Sequence, residues 1–189
     1  MNVADVGGTT VIGTLRVVGF TNKYTYKRGI TLSNFALRLA TENDLPRVSV
    51  LWAALDRFHR EIGLGFPESD DPAQAWVDSF SRTLGRFSFL WLAEREGQPV
   101  AFVLARLKRT PSYLGGAMVG EISDLYVSED ARGAGLAARL VELAEAQLRK
   151  NGVHSIEVQI LAQNDGGRAF WHKQGYADDL IQVRKQVAE

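Results

Sequence analysis

Cysteine is absent from this chain, and methionine occurs only twice. The missing thiol excludes disulfides, thiolate metal sites and a cysteine nucleophile together. Histidine is scarce as well. His59, His154 and His172 stand far apart and without metal-ligand spacing, so no metal is expected. The chain also lacks net charge, with 22 basic side chains against 22 acidic ones. That balance gives no support for a nucleic-acid partner or an anionic membrane surface. No apolar run approaches the roughly 20 residues of a membrane span. The N-terminus lacks the basic, apolar and small-residue succession of a secretion signal. These absences give the expectation of a cytoplasmic protein that meets neither membrane nor nucleic acid.

What is present is ordinary for a folded domain. The 189 residues are 46% apolar and 23% charged, enough for one domain around a single core. Residues 1–35 are rich in Thr, Gly and Val, with weak alternation between Val11 and Phe20. They read as an N-terminal extension that adds at most a strand, and the domain proper is expected over 36–189.

Within that domain, "ALRLA" at 36–40 reads as a strand and 41–63 as a helix. Thr41 is its N-cap, Asp44 follows three residues later, Pro46 suits the first turn, and Leu51, Leu55 and Phe58 recur at helical spacing. Residues 73–84 read as a second helix. Residues 86–96 and 98–109 read as two strands of a hairpin around Gly97. "VGEISDLYV" at 119–127 is a strong strand. The helix after it places Leu136, Leu140, Leu143 and Leu148 on one side, with Arg149 and Lys150 in its last turn and Gly152 as its stop. "HSIEVQIL" at 154–161 reads as a strand, 162–176 as a short helix stopped by Gly175, and "LIQVRKQV" at 180–187 as a final strand. The order β-α-α-β-β-β-α-β-α-β predicts a mixed α/β sheet flanked by helices.

Between the strand ending at Val127 and its helix lies "SEDARGAG". A helix N-terminus leaves backbone N–H groups unpaired and carries about +0.5 of a charge. Glycine there lets a ligand approach the backbone, and Arg132 adds a cation, so the loop suits a pyrophosphate. The plain alternative is a surface turn that needed glycine. No GxxxxGK[ST] occurs, which excludes a P-loop. Gly133-x-Gly135-x-x-Ala138 does fit the dinucleotide pattern, with Glu157 about 20 residues on as a ribose-binding acid. However, five residues separate strand from first glycine, and only about 50 follow the motif, too few for a dinucleotide domain.

The stretch "DLYVSEDARGAGLAARLVELAEAQLRKNG" closely resembles the acyl-CoA-binding motif of the GNAT N-acetyltransferase family. The family's [RQ]-x-x-G-x-[GA] is matched by Arg132, Gly135 and Ala137, after Leu125-Tyr126-Val127. "QNDGGRAFWHKQGY" is similar to a second family segment through Asn164, Phe170, Gly175 and Tyr176, and "LRLATENDLPRV" is similar to the family's first strand and helix. The resemblance runs from about Leu37 to the C-terminus. It implies a mostly antiparallel GNAT-like sheet, splayed between its fourth and fifth strands to admit the pantetheine arm. It implies acetyl-CoA as cosubstrate, with direct transfer to a primary amine of a small molecule, which the absence of cysteine fits. The backbone of Gly133, Ala134, Gly135, Leu136, Ala137 and Ala138 would hold the pyrophosphate together with Arg132. Leu125, Tyr126 and Val127 would bond the pantetheine. Asn164 would contact the pantetheine or cap the last helix, and Phe170 belongs to the same segment. A homodimer stays open.

Proton transfer is less clearly marked. Glu121 and Asp124 are the candidate bases, and family members often carry a glutamate near the Glu121 position. In an ideal strand the two point to opposite faces, but the family usually has a bulge here, which would change the parity. Trp171 stands where the family commonly has a tyrosine acid. Indole N–H cannot protonate a thiolate at neutral pH, so Tyr126 or solvent is left as proton donor. This replacement also opens a second reading, a CoA-binding sensor without catalysis. The resemblance implies an acceptor wall between the first two helices, where this chain has His59, Glu61, Phe66, Glu68, Asp70, Asp71 and Trp76. Aromatic and acidic lining would suit a cationic amine. The plainer expectation makes Phe66 and Trp76 core and the acids a solvated loop with a helix N-cap. His172 is expected at the surface.

Overall fold

A computed structural model describes residues 32–187. The extension and its expected strand near Val11–Phe20 therefore lie almost wholly outside the described residues. Five strands form one sheet in the order β1-β2-β3-β4-β5: β1 Ala36–Leu39, β2 Ser88–Arg95, β3 Gln98–Arg109, β4 Met118–Val127 and β5 Ser155–Val158. The first three pairings are antiparallel and the last is parallel. The helices are α1 Leu45–Glu61, α2 Pro72–Asp78, α3 Leu136–Lys150 and α4 Asp165–Lys173. This is the mixed, mostly antiparallel architecture expected.

The sheet divides two cores by simple alternation. On β3, Ala101, Val103 and Ala105 face α3, joined by Ala93 of β2 and by Leu136, Leu140, Val141, Ala144 and Leu148 of the helix. Phe102 and Leu104 face the other way, with Leu90 and Leu92 of β2 and with Val48, Leu55, Trp76 and Phe80 under α1 and α2. A strand buried on both faces needs an unbroken apolar run, and "VAFVLA" supplies one. Helix α3 lies so close to β4 that a Cβ on Gly120 would stand 2.7 Å from the Leu148 side chain.

Buried charge ties β1, β2 and α1 together. Asp44 accepts from Arg38 at 2.7 and 2.8 Å, from Arg47 at 2.9 Å, and from the Thr41 amide and hydroxyl at 2.8 and 2.9 Å. Arg38 also reaches Glu94 at 2.7 Å. The Arg38 guanidinium holds the Asp44 carboxyl far below the usual carboxylate range, against the opposing effect of burial.

Against the sequence reading, α1 starts at Leu45 after a 3-10 turn at Glu42–Asp44, α4 is confined to Asp165–Lys173, and three elements differ more. The second helix ends at Asp78, with a separate 3-10 turn at Ser81–Thr83, rather than running to Leu84. β5 stops at Val158, because there it parts from β4. Residues 177–187 form no strand, although 180–187 has a strand-like composition. Strand propensity needs a ladder partner to act. Here Leu180, Ile181, Val183 and Val187 are 87–91% exposed, and the segment instead lies against the loop after α1, with the Arg184 guanidinium 3.9 Å from the Phe66 ring centre.

Candidate active site

The parallel pairing of β4 with β5 covers only Val119–Ile122 against Ser155–Val158. Beyond it β4 continues to Val127 with no strand on that side among the described residues. The parting opens a cleft of about 1040 Å³ between Ser123–Val127 and Val158–Leu161. A free strand edge offers unpaired backbone N–H and C=O groups to an extended ligand.

One end of the cleft is the N-terminus of α3. The loop into it folds by tucking Ala131 and Ala134, both fully buried, into the core under α3. Arg132, Gly133 and Gly135 are left facing outward. Gly133 has φ +84 and Gly135 φ +79. These are left-handed values that L side chains adopt only at a cost. Gly135 caps α3, whose first residues Leu136, Ala137 and Ala138 also line the cleft. Arg132 donates to the Val127 carbonyl at 3.1 Å and lies 3.6 Å from Glu129, which fixes its exposed side chain beside the loop. Outward amides at the end of a 15-residue helix, two left-handed glycines and a fixed cation fit a pyrophosphate. The open edge of β4 fits the amide-bearing arm of coenzyme A.

The middle of the cleft is set by a bulge. Leu104 pairs with Asp124 but Ala105 pairs with Ile122, so Ser123 is the extra residue. Before it, Ile122 faces the α3 core; after it, Leu125 and Val127 do. Parity flips, and Glu121 and Asp124 come to the same, α1/α2 side of the sheet. Their surroundings differ. Glu121 is ion-paired to Lys108 and does not line the cleft. Asp124 lines it, accepting from Trp52 Nε1 at 3.0 Å and from the Ser123 hydroxyl at 2.7 Å. Burial pushes the Asp124 carboxyl above its ordinary value, opposed by Ser123, Arg106, Trp76 and Trp52.

The remaining wall comes from α1, α4 and the C-terminal segment. Phe58, His59, Leu64 and Phe66 line the end away from the α3 loop, with Gln182 and Arg184 beside them. Burial lowers the His59 pKa, with Asp124 and Asp56 acting in the other direction. Trp171 is 6% exposed, set edge-on to Phe170 and Tyr176, and still reaches the cleft. Asn164 accepts from the Gly167 amide at 2.8 Å, capping α4, while lining the same space.

The structure thus gathers Asp124, Leu125, Tyr126, Val127, Arg132, Gly133, Gly135, Leu136, Ala137, Ala138, Asn164, Phe170 and Trp171 around one cleft. Ala134 is under the loop and Glu121 lies outside. His172 is at the surface, 3.0 Å from Asp178. Trp76 is core as expected and Asp71 caps α2, accepting from the Gln74 amide at 3.0 Å. Phe66, expected in the core, is 56% exposed on the cleft wall. Sequence reasoning missed Trp52, whose contact with Asp124 spans 72 positions. Among the described residues, no group of three His, Asp or Glu could hold a metal ion, and no helix is long and apolar enough to cross a membrane.

A sheet splayed beside a glycine-lined helix N-terminus is the arrangement that the sequence resemblance implied. The model of the acetyltransferase (GNAT) family matches residues 36–176, and the chain belongs to that family. An uncharacterized N-acetyltransferase of Methanocaldococcus jannaschii is 27% identical over 106 residues, which cover 51% of this chain and 46% of that protein. A mycothiol acetyltransferase of Cellulomonas flavigena is 30% identical over 95 residues, 49% of this chain and 27% of that protein. The matched region thus spans less than half the length of either relative. A predicted acetyltransferase from Clostridium acetobutylicum, solved with acetyl-CoA, has the same fold, with a TM-score of 0.65, 20% identity, and coverage of 80% of this chain and 96% of that one.

Proposed function

We propose that the protein transfers the acetyl group of acetyl-CoA to a primary amine of a small molecule, with Asp124 as proton acceptor. The observation that carries this reading is the bulge at Ser123, which sets the Asp124 carboxylate into the cleft wall between the α3 loop and the acceptor end.

Acetyl-CoA supplies an acetyl thioester when bound. Gly133, Gly135 and the first amides of α3, with Arg132, would hold its pyrophosphate, and the free edge of Ser123–Val127 its pantetheine. The acceptor amine enters over Phe58, His59, Leu64 and Phe66, a half-apolar recess that suits a small organic amine better than a charged polymer. An amine is protonated at neutral pH and must lose a proton before its nitrogen can attack. Asp124 accepts that proton, and a carboxyl raised by burial does so more readily than an ordinary one. A C–N bond forms as the C–S bond breaks, and the second proton of the attacking nitrogen leaves to water. Tyr126, the next residue of β4 on the same face, or water returns a proton to the departing sulfur. Glu121 is committed to Lys108 and takes no part in the step.

The test is CoA release with a panel of small primary amines, in wild type and in Asp124→Asn and Glu121→Gln. Loss of a general base costs about 10²–10⁴ in rate. The expected result is that loss in Asp124→Asn with acetyl-CoA binding retained, and near wild-type turnover in Glu121→Gln. Acetyl-CoA binding without turnover on any amine would favour a sensor module instead, the reading that the Trp171 replacement opened.

A further inference from the structure

Asp124 is a carboxylate set into an aromatic wall. Trp52, on α1, donates its indole N–H to Oδ1 at 3.0 Å. Its ring stacks on Trp76 of α2, with centres 5.4 Å apart and planes at 18°. Trp76 in turn meets Phe80 and Phe102 edge-on at 4.8 and 5.6 Å, and both of these phenylalanines are fully buried. The Trp76 N–H is buried with no partner of normal hydrogen-bond geometry, yet it also acts on the Asp124 carboxyl. From other directions Asp124 feels Arg106 of β3 and His59 of α1, and Ser123 donates to Oδ2.

An indole N–H is a donor only, with no proton to exchange and no lone pair to offer. It can therefore hold a carboxylate in one rotamer without competing for the proton that the carboxylate must collect. An arginine or lysine in the same place would hold it as firmly but would pull its pKa down strongly. A carboxylate has about four lone-pair positions, and Trp52 and Ser123 occupy two. Asp124 lines the cleft, so an acceptor there can meet a position that these two leave.

We propose that Trp52 is a positioning residue for the proton acceptor, fixing Asp124 through its indole N–H, with the stack on Trp76, Phe80 and Phe102 holding the indole in place. The inference rests on the reading of Asp124 as base. It also means that α1, which forms the acceptor wall through Phe58 and His59, carries the group that aims the base. An acceptor that shifts α1 shifts Asp124 with it.

Trp52→Phe keeps a ring on Trp76 and removes only the N–H and part of the ring area. The loss of one hydrogen bond to a carboxylate is expected to lower kcat about tenfold or more, with the KM for acetyl-CoA unchanged. The acid limb of the kcat/KM profile should move to higher pH, because a donor to the ionised form has gone. In an Asp124→Asn background the same change should cost nothing further in kcat. Carbon-13 NMR titration of the Asp124 carboxyl in substrate-free protein should show its pKa rising in Trp52→Phe. An equal loss in both backgrounds with an unmoved limb would show that Trp52 only packs, and would overturn the proposal. An unmoved carboxyl titration, with Asp124→Asn still inactive, would also overturn it while leaving the base reading intact. A raised carboxyl pKa with full turnover in both Trp52→Phe and Asp124→Asn would instead overturn the base reading, and the positioning role with it.

Discussion

Replacing Gly135 by valine tests the cradle most directly, because stability and binding should both respond, by different amounts. Gly135 sits at φ +79 and ψ 7 as the residue before α3. An L residue there costs about 1–2 kcal/mol, and a β-branched one no less. For a domain of this size each kcal/mol lowers Tm by about 2–4 °C, so a fall of about 2–8 °C is expected. The second effect is on the ligand. The valine side chain would stand where a phosphate approaches the Leu136 and Ala137 amides. Losing one charge-assisted hydrogen bond, worth about 1.5–3 kcal/mol, weakens acetyl-CoA binding by roughly 10–150-fold. Arg132→Ala provides the contrast. Its side chain is half exposed and already bonded to the Val127 carbonyl, so its removal should leave Tm in place and weaken binding only about threefold to tenfold. Calorimetric titration of acetyl-CoA, well below the lower Tm, separates the two. A folded Gly135→Val protein that binds acetyl-CoA as tightly as wild type would refute the placement of the pyrophosphate.

Three further outcomes follow from the same geometry. Asp44→Asn removes the buried carboxylate that Arg38 and Arg47 share, but Glu94 stays on the part-exposed Arg38, so the change should cost about 1–3 kcal/mol at neutral pH. Because the folded pKa of Asp44 is lowered, that contribution is present above the unfolded value of about 3.9 and fades as pH falls below it, so urea midpoints of variant and wild type should converge in acid. Asp124 has the opposite sign: its folded pKa is raised by burial, so the ionised form costs stability as pH rises past the ordinary carboxylate value. Asp124→Asn should melt at or above wild type at neutral pH, and a clearly lower Tm would contradict the buried-base picture. Trp171→Tyr restores a phenol where the family commonly has one. It should lose about 1–3 kcal/mol, since the indole is buried, yet turn over as fast or faster, most visibly at alkaline pH. A folded, CoA-binding variant with much lower activity would mean that the indole itself makes a needed contact.

Much of this was legible in the residue order. The hairpin at Gly97 was marked by its glycine, which has φ +76, and by two apolar runs on either side. Helix α3 was marked by its leucine spacing, although Val141 and Ala144 rather than Leu143 complete its buried face. The α3 loop could be read because it is local: Arg132, Gly133 and Gly135 are consecutive or nearly so, and their role depends on a helix end four residues away. What depended on distant pairing was hidden. Propensity in 180–187 favoured a strand, but a strand is a property of two segments, and the described residues offer it no partner. Phe66 looked like core because aromatics usually are. Its ring instead carries the Arg184 guanidinium at the cleft mouth. That Asp124 and Glu121 share a side of the sheet rests on a one-residue insertion relative to β3, which is visible only in the register of the neighbouring strand.

That insertion gives β4 two reading frames. Upstream of Ser123 the even-numbered residues, Gly120 and Ile122, belong to the α3 core; downstream the odd-numbered ones, Leu125 and Val127, do. Tolerance to substitution should switch phase at the same point, so that a scan of the strand would look like two short strands spliced out of step. Deleting Ser123 would restore a single phase. The faces would not change: Asp124 would follow Ile122 in plain alternation and stay with Tyr126 on the α1/α2 side, while Leu125 and Val127 stayed in the α3 core. Pairing Ser123 as an ordinary ladder residue, with nothing deleted, would instead turn Asp124 and Tyr126 into the α3 core and bring Leu125 out into the cleft.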